Sequence, residues 1–464
     1  MPLEALFAWV DVHRERCVEA LRALIRQPSV SAQDHGVKAC AELLRSTMAS
    51  MGIQARVEPT SGQPLVLGEV LGPPEAKTLL LYNHYDVQPA DPEDAWTHAP
   101  FSAALDGDRI VGRGATDSKG NLMAQLMAVA AWRATAGTPP LHLKFLFDGE
   151  EEIGSPSLPD FVEAHPRWLA ADGVVSFDGG LSASERPKLQ LGSSGTLCVV
   201  LRVRGPRFDL HSAKARLVEN PAWRLLWALN AIRSPDGRVR VPGFEDDVMP
   251  PTPTEQALLD AYPWDDVAEQ DQLGVAAFRD GVRGPAALEK LLYEPTCNIC
   301  GIEAGYNGAG FKAVLPAQAS ARVECRLVPN QDPQRFAQCL RTHLDREGFA
   351  DVAFEVVAAV EPNRSPPTDP LVKALVSASR RCYGCEPVIK PRSEASGRQA
   401  PWLGQRLGVA GVATGIGPPF WSGHAPNEFM SIDHYLAGIK FAATVWAAFA
   451  GADLAPSVQN KEAS

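Results

Sequence analysis

The chain has no apolar stretch approaching the ~20 residues that a bilayer-spanning helix needs, no block of Lys or Arg, and no cysteine pattern of a secreted disulfide framework. The first absence argues against a transmembrane helix. The second, together with a formal charge of −11, disfavours nucleic acid and an anionic membrane surface as partners. The N-terminal MPLEALFAWVDVHRERC lacks the basic start and unbroken apolar run of a signal peptide and reads as an amphipathic helix. With nine cysteines, an odd number, reduced thiols in a soluble cytoplasmic protein are expected. Two CxxC pairs occur, Cys297 with Cys300 and Cys382 with Cys385. The first lies in a strand-like segment, where residues three apart face opposite ways, and the pairs are too far apart for a zinc ribbon. They read as buried free cysteines.

What is present is size and alternation. At 464 residues the chain exceeds one hydrophobic core, so two domains are expected. A first helix is predicted to run to about Gln27 and stop at Pro28, and a second to span roughly 37–51, with Gly52 beyond its end. LVLGEVLG, TLLLYNHYD, LHLKFLFD and GVVSFD read as strands, with the helix NLMAQLMAVAAWRATAG between the second and third. Strands this apolar belong to an α/β fold with a mostly parallel central sheet flanked by helices.

After about Ser193 the order strand, helix, strand, strand, helix, strand predicts a smaller α+β unit of ferredoxin-like type. Its second helix carries Asp332 as N-cap, Pro333 at the first position and Gly348 past the end. A Pro- and acid-rich insertion occupies about 234–295. From about Pro366 a helix–strand–helix pattern returns, closing with a helix from Ser431 to Phe449. The simplest organisation is a catalytic domain built from residues 1–193 and 366–464, with the α+β unit of residues 194–365 inserted.

Five islands carry the chemistry: YNHYDVQP (Tyr82 to Pro89), GRGATDSKG (Gly112 to Gly120), FDGEEEIGS (Phe147 to Ser155), SFDGG (Ser176 to Gly180) and GHAPNE (Gly423 to Glu428). Three directly follow an apolar, strand-like run, the place where a two-metal hydrolase collects ligands. His84 and Asp86, two apart on a strand, share a face, and Asp86 can take the second ring N–H of a ligating His84. Asp117 precedes a helix and would alone read as an N-cap; as a carboxylate it can also bridge two ions. Glu150, Glu151 and Glu152 repel one another at a buried strand end unless cations sit there. One can ligate while its neighbour acts as base. Asp178 ends another apolar strand, and His424 in a Gly/Pro-rich loop supplies a second nitrogen. His84, Asp117, Glu152, Asp178 and His424 thus divide into two sites of one His, one terminal carboxylate and the shared Asp117. This N/O set suits zinc and also accepts manganese or cobalt.

In order and wording, the islands resemble the di-zinc metallopeptidase family of carnosine dipeptidases, glutamate carboxypeptidases, aminoacylases and succinyl-diaminopimelate desuccinylase. NHYDVQP, GRGATDSKG, EEEIGS, RLVPNQDP and HAPNE look like its cytosolic non-specific and carnosine-type dipeptidase branch. The resemblance spans nearly the whole chain. It implies two zinc ions bridged by Asp117, Asp86 orienting His84, and Glu151 as general base. Asp178, rather than Glu, is the choice of aminopeptidases and dipeptidases. His211 in DLHSA resembles the lid histidine that polarises the scissile carbonyl, often in a partner's site. Arg326 resembles the lid arginine that holds the substrate carboxylate. A small peptide substrate and a homodimer through the inserted domain follow from the same resemblance.

Two segments depart from the family. Arg-Glu-Gly-Gly-Ser-Ile-Pro is replaced by Arg392 to Arg398, which keeps Ser396, a substrate-binding candidate, but loses the paired glycines and the Pro and adds charges at Glu394 and Arg398. The Thr of KTVLP is Ala313 here, so that hydrogen bond is lost. The leading expectation is metal-dependent hydrolysis of dipeptides or short peptides with a free C-terminal carboxylate. An N-acyl-amino-acid deacylase on the same scaffold is the alternative. A dead binding scaffold would lack a ligand or base, and none is missing.

Overall fold

The computed structural model describes residues 3–396, 399–420, 422–452 and 454. The chain divides into two compact units. The first comprises Met1–Gly192, Ser365–Pro391 and Gln399–Ser464, and the second Ser193–Arg364 with Arg392–Arg398.

The first unit is built on an eight-stranded sheet. Its order is Gln54–Glu58, Leu65–Val70, His142–Asp148, Thr78–His84, Gly173–Phe177, Gly411–Thr414, Lys188–Gln190 and Val388–Lys390. The four strands from His142–Asp148 to Gly411–Thr414 run parallel. The strand expected from TLLLYNHYD is Thr78–His84, six of whose seven residues are buried. Such a strand needs apolar cover on both faces. The helices Lys119–Ala136 and Ile432–Phe449, both largely buried, belong to the main core.

The N-terminal helix differs from expectation. It breaks into Leu3–Val12 and Arg14–Arg26, with non-helical ψ at His13. The His13 ring stacks on Trp9, centroids 4.4 Å apart, and its Nδ1 donates to the Trp9 carbonyl at 2.8 Å. The backbone bonds from His13 N to Trp9 O at 2.9 Å and from Cys17 N to His13 O at 3.0 Å are kept, so the two helices meet at a local kink.

The second unit contains a four-stranded antiparallel sheet in the order Thr296–Ala304, Gln318–Leu327, Gly195–Arg204, Ala353–Val360. With helices Pro221–Ile232 and Pro333–Arg346 this is the expected βαββαβ arrangement. Asp332 caps the second helix, its carboxylate accepting from the amides of Gln334 and Arg335. One sheet face, with Val323, Cys325 and Leu327, is buried with both helices. Residues 392–396 group with this unit because Ser194 donates its amide to Ser393 O at 3.0 Å and Ala395 O at 3.1 Å.

Candidate metal centre

Adjacent parallel strands of the first unit end at one edge of the sheet. The middle strand ends on His84, opposite Asp148 of its neighbour, after which come Glu150, Glu151 and Glu152. On its other side Gly173–Phe177 is followed by Asp178. Gly411–Thr414, parallel to that strand, leads into the loop with His424. Asp117 lies just ahead of the Lys119–Ala136 helix. Strand direction alone therefore gathers most of the islands at the carboxyl edge.

His84 Nε2 lies 3.0 Å from Asp117 Oδ1 and 3.7 Å from Asp178 Oδ1. His424 Nε2 lies 3.1 Å from Asp117 Oδ2 and 3.3 Å from Glu152 Oε2. Each oxygen of Asp117 thus faces a different imidazole. His84, Asp117 and Glu152 offer ligand atoms all within 4.8 Å of one another, a group able to hold a metal ion. His84 Nε2 and Glu152 Oε1 are buried without an aligned hydrogen-bond partner. Buried polar atoms rarely go unpaired, and two in one nitrogen-and-carboxylate cluster fit a divalent cation.

The electrostatics agree with a site shaped for positive charge. Burial disfavours the imidazolium of His84, but Asp117, Asp178 and Asp86 outweigh it and raise its pKa well above the ordinary value. His424 is pushed up to about 10 by Asp117 and Glu152. Burial opposes ionisation of Asp117, yet His424 and His84 hold it below the usual carboxylate range. Burial raises Glu151 to about 8, with Asp178, Glu152 and Asp117 adding to the rise against His84.

The three glutamates take three different places. Glu150 ties loops together, accepting from the amides of Gln63 at 2.8 Å and Ser157 at 3.1 Å. Glu152 faces His424, and Glu151 lies among the charges just named. Asp86 departs in detail from its expected contact. His84 Nδ1 donates to the Asp86 main-chain carbonyl at 3.1 Å, with the carboxylate 3.4 Å away. The two carboxylate oxygens instead accept from the amides of Glu151 and Glu152, each at 3.1 Å. Asp86 thereby contacts both the His84 ring and the Glu151–Glu152 backbone.

Two supporting residues escaped the sequence reading. Gln88 Nε2 donates to Glu152 Oε2 at 2.8 Å. Glu428, fully buried, accepts from Arg113 Nη1 at 2.9 Å and from the amides of Gly114, Thr116 and Asp117 at 2.8–2.9 Å. It clamps the turn that presents Asp117. Gly114 has φ +84 there, and a Cβ would meet Val87 at 2.6 Å, which accounts for the glycine. Both residues sit inside motifs already singled out. A polar residue in an island with no ligand role was the available signal.

His211, Arg326 and Ser396 belong to the second unit. His211 is exposed, and its Nδ1 accepts from the Ala213 amide at 3.2 Å, so the neutral ring carries its proton on Nε2. Arg326 Nη1 donates to Ser396 Oγ at 2.9 Å and Thr196 Oγ1 at 3.2 Å, while Nη2 pairs with Glu324 at 2.7 Å. Ala313 contributes its carbonyl to Ser212 N at 3.0 Å. Gly397 and Arg398 lie outside the described residues. All nine cysteines are free thiols. No described helix is long and apolar enough to cross a membrane.

Known proteins share this architecture. A M20 family metallo-carboxypeptidase from Sulfolobus solfataricus, Sso-CP2, superposes with a TM-score of 0.84 at 36% identity, over 94% of this chain and 99% of that one. Human carnosine dipeptidase 1 superposes with a TM-score of 0.76 at 25% identity, over 97% and 99%. The Cys-Gly metallodipeptidase dug1 of Schizosaccharomyces pombe is 29% identical over 96% of this chain and 98% of its own length. The pattern of Peptidase family M20/M25/M40 matches residues 80–448, a span that takes in all five islands, and the chain belongs to that family.

Proposed function

We propose that this protein is a metal-dependent dipeptidase that hydrolyses dipeptides or short peptides with a free C-terminal carboxylate. One observation carries the proposal: the two oxygens of Asp117 each face a different histidine, 3.0 and 3.1 Å away. That is the arrangement of a carboxylate shared by two cations. His84 and Asp178 would complete one site, His424 and Glu152 the other, with zinc, manganese or cobalt as the ion. Bound there, the ions supply Lewis acidity toward the scissile carbonyl and toward water.

The protein's own groups do the rest. Glu151, buried beside the cluster, takes a proton from the attacking water and returns it to the leaving amine. Asp86 holds the Glu151 and Glu152 amides and the His84 ring in register. His211, protonated on Nε2, is a donor suited to the developing oxyanion. Arg326, with Ser396 and Thr196 on the same guanidinium nitrogen, is the anchor for the substrate carboxylate.

The first unit is assigned the chemistry and the second the role of lid and dimerisation domain. Trp223, Leu226 and Trp227 on Pro221–Ile232 are exposed, and the two Trp rings stack 6.3 Å apart, which supports an apolar self-association surface. Nine free thiols suit a reducing, cytoplasmic setting. If His211 serves a partner's site, mixing inactive Glu151→Gln and His211→Ala chains under exchange conditions restores activity. Absence of recovery argues against a shared site.

The direct test is metal analysis of purified protein beside a panel of dipeptides, longer peptides and N-acyl amino acids. Two divalent ions per chain with dipeptide turnover are expected. Full activity after chelation sinks the proposal. A second reading, a carboxypeptidase acting on longer peptides, is favoured by the 36% identity to Sso-CP2. It predicts kcat/KM rising with chain length, where the dipeptidase reading predicts a fall beyond two residues.

A further inference from the structure

Glu324 and Arg326 lie two residues apart on the Gln318–Leu327 strand and face the side opposite the buried Val323, Cys325 and Leu327. The Arg326 Nη2–Glu324 Oε1 distance is 2.7 Å. Glu324 Oε2 takes a weak contact from Cys300 Sγ at 3.6 Å, and its cross-strand neighbours are the neutral Cys198 and Asn298. The two side chains are 37% and 24% exposed, so the pair is open to a ligand. The proposed carboxylate anchor is therefore not a bare cation. It is one half of a neutral pair.

We propose that Glu324 makes this anchor selective for peptides whose C-terminal residue has a cationic side chain. The inference rests on the reading that Arg326 holds the substrate's terminal carboxylate. A neutral C-terminal residue brings one negative charge to a guanidinium already shared with a carboxylate, and the two anions repel. An acidic side chain adds a third negative charge beside them. A lysine or arginine side chain brings its own cation on a flexible stem, long enough to reach Glu324 while its carboxylate occupies Arg326. The four charges then alternate in sign, and neither protein group loses a partner. Selection works by repelling the wrong substrates as much as by attracting the right one.

The test uses the full-length, metal-loaded enzyme and three dipeptides: Ala-Lys, Ala-norleucine (the same stem without the ammonium) and Ala-Glu. Ala-Lys should exceed Ala-norleucine in kcat/KM by about two- to fivefold, the scale of one half-exposed charge contact, with Ala-Glu slowest. In Glu324→Gln the first ratio should fall toward one and Ala-Glu should gain on Ala-norleucine. Added salt should erode the wild-type preference. Equal rates on Ala-Lys and Ala-norleucine in the wild type overturn the inference without needing the variant. So does a variant that slows all three alike, which would assign Glu324 only to holding Arg326. If C-terminal amides are hydrolysed as fast as the acids, the anchoring reading falls too. If acids are preferred without a Lys preference, only the present inference falls.

Discussion

His84 and Arg326 differ sharply in confinement. The His84 side chain is 1% exposed and is held at the end of a parallel strand. Arg326 is 37% exposed, on a sheet face rather than in a core. Around His84, support comes from behind: Asp86 holds the Glu151–Glu152 backbone, and Glu428 clamps the Asp117 turn with four hydrogen bonds. Around Arg326, support comes from the side chains of Thr196 and Glu324 on the sheet and of Ser396 in the 392–396 segment. Apart from His424, which is 55% exposed in its loop, the first region is held by buried contacts, whereas the second is open to solvent. Changes in the first should act on every substrate through the metal, and changes in the second on substrate choice alone.

The strongest way to break that contrast is to remove the metal. Chelation should abolish turnover of every substrate, and zinc, manganese or cobalt should restore it. Binding should also release protons. His424, raised to about 10, and His84, raised well above the ordinary value, carry protons in the empty site at neutral pH, whereas a ligating imidazole is neutral. Affinity should therefore rise with pH and fall as the site is acidified. Calorimetry in buffers of different ionisation enthalpy measures the release, and pH-independent binding would contradict this charge assignment.

Next in size is Glu151→Gln, which should lower kcat by about 10²–10⁴-fold with metal content unchanged. Replacing Glu152 should instead empty a site. Metal analysis beside single-turnover rates separates the two, and a Glu151→Gln enzyme with near-normal kcat reverses the assignment.

Arg326→Ala carries the comparison to the second region. It should cost about 1.5–3 kcal/mol in kcat/KM on free acids, the range for losing a hydrogen bond between charged groups. It should cost little more on C-terminal amides, since both changes remove one interaction. Metal content should stay at the wild-type value. Loss of metal in Arg326→Ala would mean that the two regions are not separable.

The same contrast explains what the sequence made legible. The grouping of His84, Glu151, Glu152 and Asp178 was legible because parallel strands end at one edge of the sheet, and apolar runs mark those ends. The βαββαβ order was legible from periodicity and from the Asp332–Pro333 cap. The break at His13 was not, since no Pro or Gly marks it in VDVHRER. Glu428 was hidden because its partners are mostly backbone amides more than 300 residues away in sequence, which no local pattern reveals. The Glu324–Arg326 pair, only two residues apart, was hidden for a different reason: spacing places both on one face but does not say that they touch.

The smallest effect concerns Gln88, which separates holding a ligand from being one. Its amide donates to Glu152 Oε2 at 2.8 Å, leaving Oε1 as the buried atom without a partner. A donor behind a ligating carboxylate fixes its orientation, and loss of such support typically costs about 10–100-fold in metal affinity or activity. Gln88→Ala should therefore weaken metal binding on that scale while kcat at saturating metal stays near normal, since Glu151 and Asp86 are untouched. Gln88→Glu should do worse than alanine, because it replaces the donor with a charge facing Glu152. Arg326→Ala should show the reverse split, with normal affinity for metal and impaired use of free-acid substrates. Competition titration with a zinc-sensitive chelator, run beside kinetics at saturating metal, resolves the two. If Gln88→Ala binds metal normally yet loses kcat, Gln88 acts on the substrate, and the line between a fixed metal region and a variable substrate region would have to be redrawn through the first unit.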